Sequence, residues 1–303
     1  MRITPNITSQ NSLYNIQRSR SQLNDLQEKL ASGQNVNRPS DDPVTARLLL
    51  GLNDKLVATN QYSSNITKAE IWLNMSNTAL EGMHEYVNQA QSLVSSLASG
   101  TTDAAIQNSA VEQLKLIKQQ LIDMGNTQLN GVYIFGGGVT SQPPFHSGAA
   151  PYYQGDDTEL NIEISQGTMQ TMNLVGSQIL APSEAASQPY GSTDILQTID
   201  DLITTISTNP NDTAALQAGA QQLYTGGLQI ESAISTVATR LTRLDSAQNM
   251  NTATKNTLLT VFDQVQSADS AELGVKLTQQ LAAFEATLSA TAKISQLSLL
   301  DYL

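Results

Sequence analysis

Both ends of this chain carry apolar residues at helical spacing, and that pattern limits what it can become. Near the start stand Ile7, Leu13, Ile16, Leu23, Leu26 and Leu30; near the finish stand Leu273, Leu277, Leu281, Phe284, Leu288, Ile294, Leu297 and Leu300. Termini ordinarily fray because few contacts tie them down. An apolar stripe there asks for a partner surface, either the other end or the same helices in neighbouring molecules. Two such helices bury little on their own. Each fully buried Leu or Ile contributes about 1.5–3 kcal/mol, against about 1–2 kcal/mol of backbone entropy per ordered residue. A lone pair is therefore expected to be marginal and partly disordered until neighbours complete its packing. The pattern points to assembly rather than catalysis.

Between the ends the helical text continues. Gly33 suits a helix C-terminal cap, since glycine accepts positive φ cheaply. Ser40-Asp41-Asp42-Pro43 then reads as a helix start, with Asp42 as the cap and Pro43 at the first helical position, where a missing N–H costs nothing. One seam follows through Leu48, Leu52, Tyr62, Ile66, Ala69, Leu73, Leu80, Met83, Val87, Ala90, Val94 and Leu97. A helix over residues 43–99 would run roughly 85 Å at about 1.5 Å per residue. A second helix carries Ala110, Leu114, Ile117, Leu121 and Met124.

The character changes at Asn130-Gly131, a tight-turn pair, after which Val132-Tyr133-Ile134-Phe135 reads as a strand. Glycine-marked text with Leu160, Ile162 and Ile164 alternating continues the β signal. Helical spacing returns at Ile195, Ile199, Leu202 and Ile206, and a long seam runs from Leu216 to Leu244 and resumes at Leu258, Phe262 and Val265. Gln248, Asn251 and Lys255 occupy seam positions between those stretches, which should loosen packing there. The expected fold is mainly α with a small β insert: a nested helical rod of terminal coiled-coil helices, a long-helix bundle and a β domain at the tip. Residues 1–40 pair with 271–303 as an inner assembly layer, 41–128 and 194–270 form the rod, and 129–193 form the insert.

Composition closes off several functions. The 303 residues hold 15 basic and 27 acidic side chains, a net charge of −12, which argues against nucleic acid. Basic residues are scattered, so an anionic membrane surface is not expected either. No apolar run is long enough to span a bilayer, so no membrane insertion is expected, and no apolar segment behind a basic start marks a cleaved secretory signal. The chain lacks cysteine, which removes disulfides, thiolate metal sites and cysteine nucleophiles.

No catalytic or metal constellation is legible, and no cofactor is expected. His84 sits one residue off the seam, and His146 lacks a ligand-spaced companion. Asp41-Asp42 and Asp156-Asp157 occur in cap or turn text, where aspartate serves local hydrogen bonding. Gly136-Gly137-Gly138 lacks the Gly-Lys-Ser/Thr ending of a phosphate loop. The residues expected at subunit interfaces are Ile7, Leu13, Ile16, Leu23, Leu26 and Leu30 at one end, and Leu273, Leu277, Leu281, Phe284, Leu288, Leu297 and Leu300 at the other.

Four separated motifs carry a family resemblance. Leu30-Ala31-Ser32-Gly33 followed by Asn37-Arg38-Pro39-Ser40-Asp41-Asp42-Pro43 resembles the N-terminal junction of the bacterial flagellin superfamily, and its Asp-Asp-Pro ending resembles the hook–filament junction branch. Asn130-Gly131-Val132-Tyr133-Ile134-Phe135-Gly136-Gly137 and Tyr153-Gln154-Gly155-Asp156-Asp157 are similar to that branch's step into its β domain. The ending Ile294 to Leu303 is similar to the family's C-terminal helix. The resemblance implies a non-enzymatic subunit exported unfolded, without a cleaved signal peptide, to the extracellular flagellum. There its terminal helices would pack into an α-helical tube. It implies a ring of copies between hook-associated protein 1 and flagellin, and a cytoplasmic export chaperone on the C-terminal helix. Flagellin itself, the bulk filament subunit, is the alternative within the superfamily. A secreted enzyme carried by the insert is the alternative outside it.

Overall fold

The structure, a computed structural model, describes residues 5–100, 103–181 and 189–300. Side chains at positions 5, 6, 8, 9 and 294–300 lie outside that description, so the sequence-based assignments at Leu297 and Leu300 do too. Six helices and four short strands follow in order among the described residues: α1 (Pro5–Ser32), α2 (Pro43–Ser99), α3 (Ala104–Gly125), β1 (Gln128–Leu129), β2 (Val132–Tyr133), β3 (Asn161–Ser165), β4 (Thr168–Thr171), α4 (Ile195–Thr208), α5 (Thr213–Gln266) and α6 (Ser270–Leu300). The chain forms two compact units, residues 1–58 with 253–303, and residues 59–252. Their boundaries fall inside α2 and α5, whereas the sequence reading divided the chain at loops.

In the first unit α1 and α6 pair antiparallel. Gln280 Nε2 reaches Ser19 Oγ at 3.1 Å and Gln22 Oε1 at 3.0 Å. The loops beyond their facing ends are stitched by Asn35 N–H to Gln266 O at 2.8 Å and Ala268 N–H to Gly33 O at 3.0 Å. Gly33 takes φ +68°, and its N–H closes the last turn of α1 on the Lys29 carbonyl.

In the second unit α2, α3, α4 and α5 share one apolar core. Ile66, Leu73, Leu80, Met83, Val87 and Val94 from α2 are fully buried, with Leu114 and Leu121 from α3, Ile199 from α4 and Leu223, Ile230 and Leu244 from α5. The seam read from the sequence therefore holds through this unit, but Leu48, at its start, is half exposed. Helix α4 lies against α5 at two glycines seven residues apart. A Cβ at Gly226 would stand 2.7 Å from Ile195 Cγ1, and one at Gly219 would collide with Leu202. Backbone approaches that close admit no side chain.

The β signal corresponds to two isolated hairpins joined by loops. Asn130 and Gly131 both take positive φ, 53° and 80°, as a two-residue hairpin turn requires, and they join β1 to β2. Strands β3 and β4 pair antiparallel. The expected strand over 132–135 stops at Tyr133, because Ile134 and Phe135 turn into the common core and Gly136-Gly137 bends the chain away. Phe145, Tyr152, Ile164, Leu174 and Ile179 join the same core, so the insert is packed onto helices and has no separate interior. Phe145 fits because both its ring neighbours lack side chains: a Cβ at Gly125 or Gly176 would fall within 2.5 or 2.7 Å of the ring. The Asn126 amide pairs with the Phe145 backbone in both directions at 2.9 Å, as a strand neighbour would.

Candidate assembly surface

The end helices present two kinds of apolar residue. On α1, Ile16, Ser19, Leu23 and Leu26 share one face, with Leu23 only 6% exposed. On α6, Leu273, Leu277, Gln280 and Phe284 do the same, with Leu273 7% exposed. These residues are the inner seam of the pair. Ile7, Leu13 and Tyr14 on α1 and Val275, Leu281 and Leu288 on α6 are 41–64% exposed, and Leu30 is 38% exposed in the last turn of α1.

Helical geometry explains the division. At about 100° per residue, Leu13 stands roughly 100° round from the inner face, while Ile7 and Tyr14 lie nearly opposite it. Leu281 and Leu288, seven residues apart, flank the α6 inner face by about 50–70°. The sequence stripe therefore separates into a seam satisfied within the chain and a set left facing outward. Beside the seam lies a groove of about 520 Å³ lined by Gln22, Asp25, Leu26, Lys29, Lys276 and Gln280 among others, a lining that mixes apolar side chains with charges of both signs.

The helix-start motif is built as a stack of local caps. Asp41 Oδ2 accepts from the Arg38 N–H at 2.9 Å and the Asn37 N–H at 3.2 Å, and the Arg38 guanidinium pairs with Glu28 at 2.9 Å. Asp42 Oδ1 accepts from Val44 and Thr45 N–H at 3.0 and 3.1 Å, while Thr45 Oγ1 donates to Oδ2 at 2.7 Å. The Thr45 hydroxyl and backbone N–H hold the Asp42 carboxyl below the ordinary carboxylate range. Pro43 opens α2, and Ser40 is exposed beside it. Across the first unit Asp269 caps α6 in the same way, accepting from Ala271 and Glu272 at 2.8 and 3.1 Å.

The other polar groups serve structure. His84 Nδ1 lies 3.2 Å from the Gly227 carbonyl, and His146 Nδ1 accepts from Gly148 N–H at 3.1 Å. Asp156 ties Gly138 and Thr158 N–H groups, and Asp157 accepts from Ser177 Oγ. Tyr153 OH lies 3.0 Å from the Phe135 carbonyl and 2.9 Å from that of Asp156. One cluster had no signal in the sequence: Asp200 accepts from both Lys118 Nζ and Tyr152 OH, and the ammonium lies 4.4 Å from the Tyr152 ring centre. Burial and the Asp200 carboxylate push the Tyr152 phenol up, so it stays a proton donor. Its members come from α3, α4 and a loop, far apart in the chain. Among the described residues no group of three or more histidines and carboxylates gathers, and no helix is long and apolar enough to cross a membrane.

The description "Bacterial flagellin N-terminal helical region" matches residues 3–140. That match spans less than half of the chain. Flagellar hook-associated protein 3 of Salmonella typhimurium is 26% identical over 195 residues, which cover 63% of this chain and 61% of that protein. This chain thus spans about three-fifths of the length of that relative. Flagellin of Bacillus subtilis is a weaker match, 23% identical over 288 residues that cover 94% of this chain and 90% of that one. A crystal structure of flagellar hook-associated protein 3 from Legionella pneumophila superposes with a TM-score of 0.61 at 14% identity, covering 71% of this chain and 98% of that chain. The shared architecture is mainly helical with a small β region.

Proposed function

We propose that this chain is a structural subunit of the bacterial flagellum that forms the hook–filament junction, outside the cell, and that it works by contact and not by catalysis. Its copies form a ring that receives hook-associated protein 1 on one side and flagellin on the other. The outward apolar residues of α1 and α6 are the surface through which copies and neighbours pack. The observation that carries this reading is the incomplete burial of the end helices: the pair satisfies Leu23 and Leu273 but leaves Leu13, Leu281 and Leu288 in water. Exposed leucines in regular array on helices that have only each other mark an unfinished interface. The names of the relatives support placing that interface in a flagellum. Before assembly, export through the flagellar channel without a cleaved signal, and a cytoplasmic chaperone covering α6, would keep these residues from premature association.

Deletion of residues 1–32 or 271–303 tests the reading. Each truncated chain should remain soluble with the second unit folded by circular dichroism, yet fail to bind hook ends or restore filaments to cells lacking the full chain. Normal incorporation of either truncation would sink it. The coverage of Bacillus flagellin favours one second reading, a bulk filament subunit. Purified chain that polymerises alone into long filaments would select that reading, and a monomer that adds only at hook ends would select the junction.

A further inference from the structure

The net charge of −12 is not shared between the two units. Residues 1–58 with 253–303 hold 10 basic and 10 acidic side chains, a balance of zero. Residues 59–252 hold 5 basic against 17 acidic, so the whole −12 resides there. Little of it is neutralised locally. The ion pairs formed among the described residues of this unit are Lys115–Glu112 and Lys118–Asp200. Glu81, Glu85, Glu231 and Asp245 stand exposed on α2 and α5. The neutral unit is the one that carries the outward Leu13, Leu281 and Leu288.

We infer that ionic strength gates assembly of this chain: copies pack through the first unit, whose charges balance, and mutual repulsion of the acidic second units opposes that packing until salt screens it. This rests on the reading of the first unit as the assembly surface. The two units are one chain through α2 and α5, so seating copies side by side by one unit gathers the others as well. Like charges of this size repel over distances set by the Debye length, about 30 Å at 0.01 M salt and about 10 Å at 0.1 M. The gradient between the inside and outside of a cell, or between dilute and saline media, then acts on the assembly without touching a contact residue. The same repulsion keeps second units from meeting each other, so copies do not associate through the wrong face.

The test is binding of the full chain, fluorescently labelled, to hooks isolated from cells that lack it, read by pelleting at 10 to 150 mM NaCl. The half-saturation concentration should fall about tenfold over that range as screening takes effect. A variant carrying E81Q, E85Q, E231Q and D245N lowers the second unit's charge from −12 to −8. Repulsion scales as charge squared, so it falls to less than half, and the salt effect should shrink to about threefold. Each substituted amide keeps the acceptor that Asn77, Gln89 and Asn249 now use on Glu81, Glu85 and Asp245. A wild-type curve that is flat or rises with salt, or a variant that follows the wild type, overturns the charge inference while leaving the assembly surface intact. Wild-type chain that binds hooks at no salt concentration overturns the assembly reading, and this inference with it.

Discussion

Replacing Leu23 by alanine and Leu13 by serine should have opposite consequences, although both leucines lie on α1. Leu23 is 6% exposed in the α1–α6 seam, and Leu13 is 56% exposed. Six apolar residues line that seam: Ile16, Leu23 and Leu26 on α1, with Leu273, Leu277 and Phe284 on α6. Only Leu23 and Leu273 are fully buried, and the other four are partly so. At about 1.5–3 kcal/mol per full burial and roughly half that for the rest, the seam supplies about 6–12 kcal/mol. Truncating a buried leucine to alanine costs about 2–4 kcal/mol, a large share of that total. Amide hydrogen exchange on the dilute monomer should therefore show the marginal protection across α1 and α6 falling toward the unprotected rate in L23A. The second unit should be unchanged, since its core contains none of these residues. In L13S the same amides should exchange at wild-type rates, while binding to hook ends is lost. Equal loss of protection in the two variants would refute the division into inner seam and outward surface. So would unaltered protection in L23A.

Gly219→Ala should lower the melting temperature of the second unit, because a Cβ there collides with Leu202; forced overpacking of this kind costs about 1–3 kcal/mol. Differential scanning calorimetry on a truncated chain without residues 1–32 reads it directly. Gln229 is 2% exposed and bonds Ile179 O at 2.6 Å, Thr193 O at 3.2 Å and Thr193 N–H at 3.0 Å. Gln229→Leu strands the Ile179 carbonyl in the core, at about 1–3 kcal/mol for a buried group left unpaired, and removes the partner of the half-buried Thr193 backbone. Urea unfolding should show a lower midpoint with an unchanged slope. Acid should loosen the start of α2. Asp42 is held ionised by Thr45, so its folded pKa lies below its unfolded value near about 3.9. The stability it adds is full above that unfolded value and disappears as pH falls through the lower folded one. Amide exchange at Val44 and Thr45 should rise over that window in the wild type and be already fast at neutral pH in Asp42→Ala.

Much of the helical frame was legible because burial there follows one period. Ile66 to Leu97 on α2 and Leu216 to Leu244 on α5 sit where the spacing put them, and the Asn130-Gly131 turn has the positive φ values its residues favour. The insert was less legible. Its Ile134 and Phe135 read as strand residues by composition, and only their capture by the helical core shows that they are not. Close approaches left no mark either: Gly219 and Gly226 interrupt a helix by propensity, and the reason they are tolerated, the crossing of α4, is tertiary. The Lys118–Tyr152–Asp200 cluster was invisible for the same reason. On α1 and α6 the sequence pattern ran together residues that the structure separates into a buried seam and an exposed set. The step from Ile7 to Leu13 is six residues, which does not return to the same side of a helix.

The polar residues set among the leucines explain how such thin seams keep a single arrangement. A purely apolar stripe between two helices can slide by a turn at small cost, since leucine meets leucine again three or four residues on. Ser19 and Gln280 occupy inner positions of α1 and α6 and bond each other, which a one-turn slip would break while leaving a polar group against leucine. The second unit uses the same device. Gln248 and Ser63 exchange hydrogen bonds at 2.9 and 3.1 Å, and Asn251 donates to the Thr59 carbonyl at 2.8 Å. The sequence reading took those seam amides as points of loose packing; in the folded chain they are bonded across to α2. In the proposed role of a subunit that works by contact, such register matters more than stability. Its outward leucines are useful only at fixed offsets, because every copy must offer the same array for the next to match. Burial energy is thus traded for register, as the proposed assembly of identical copies requires.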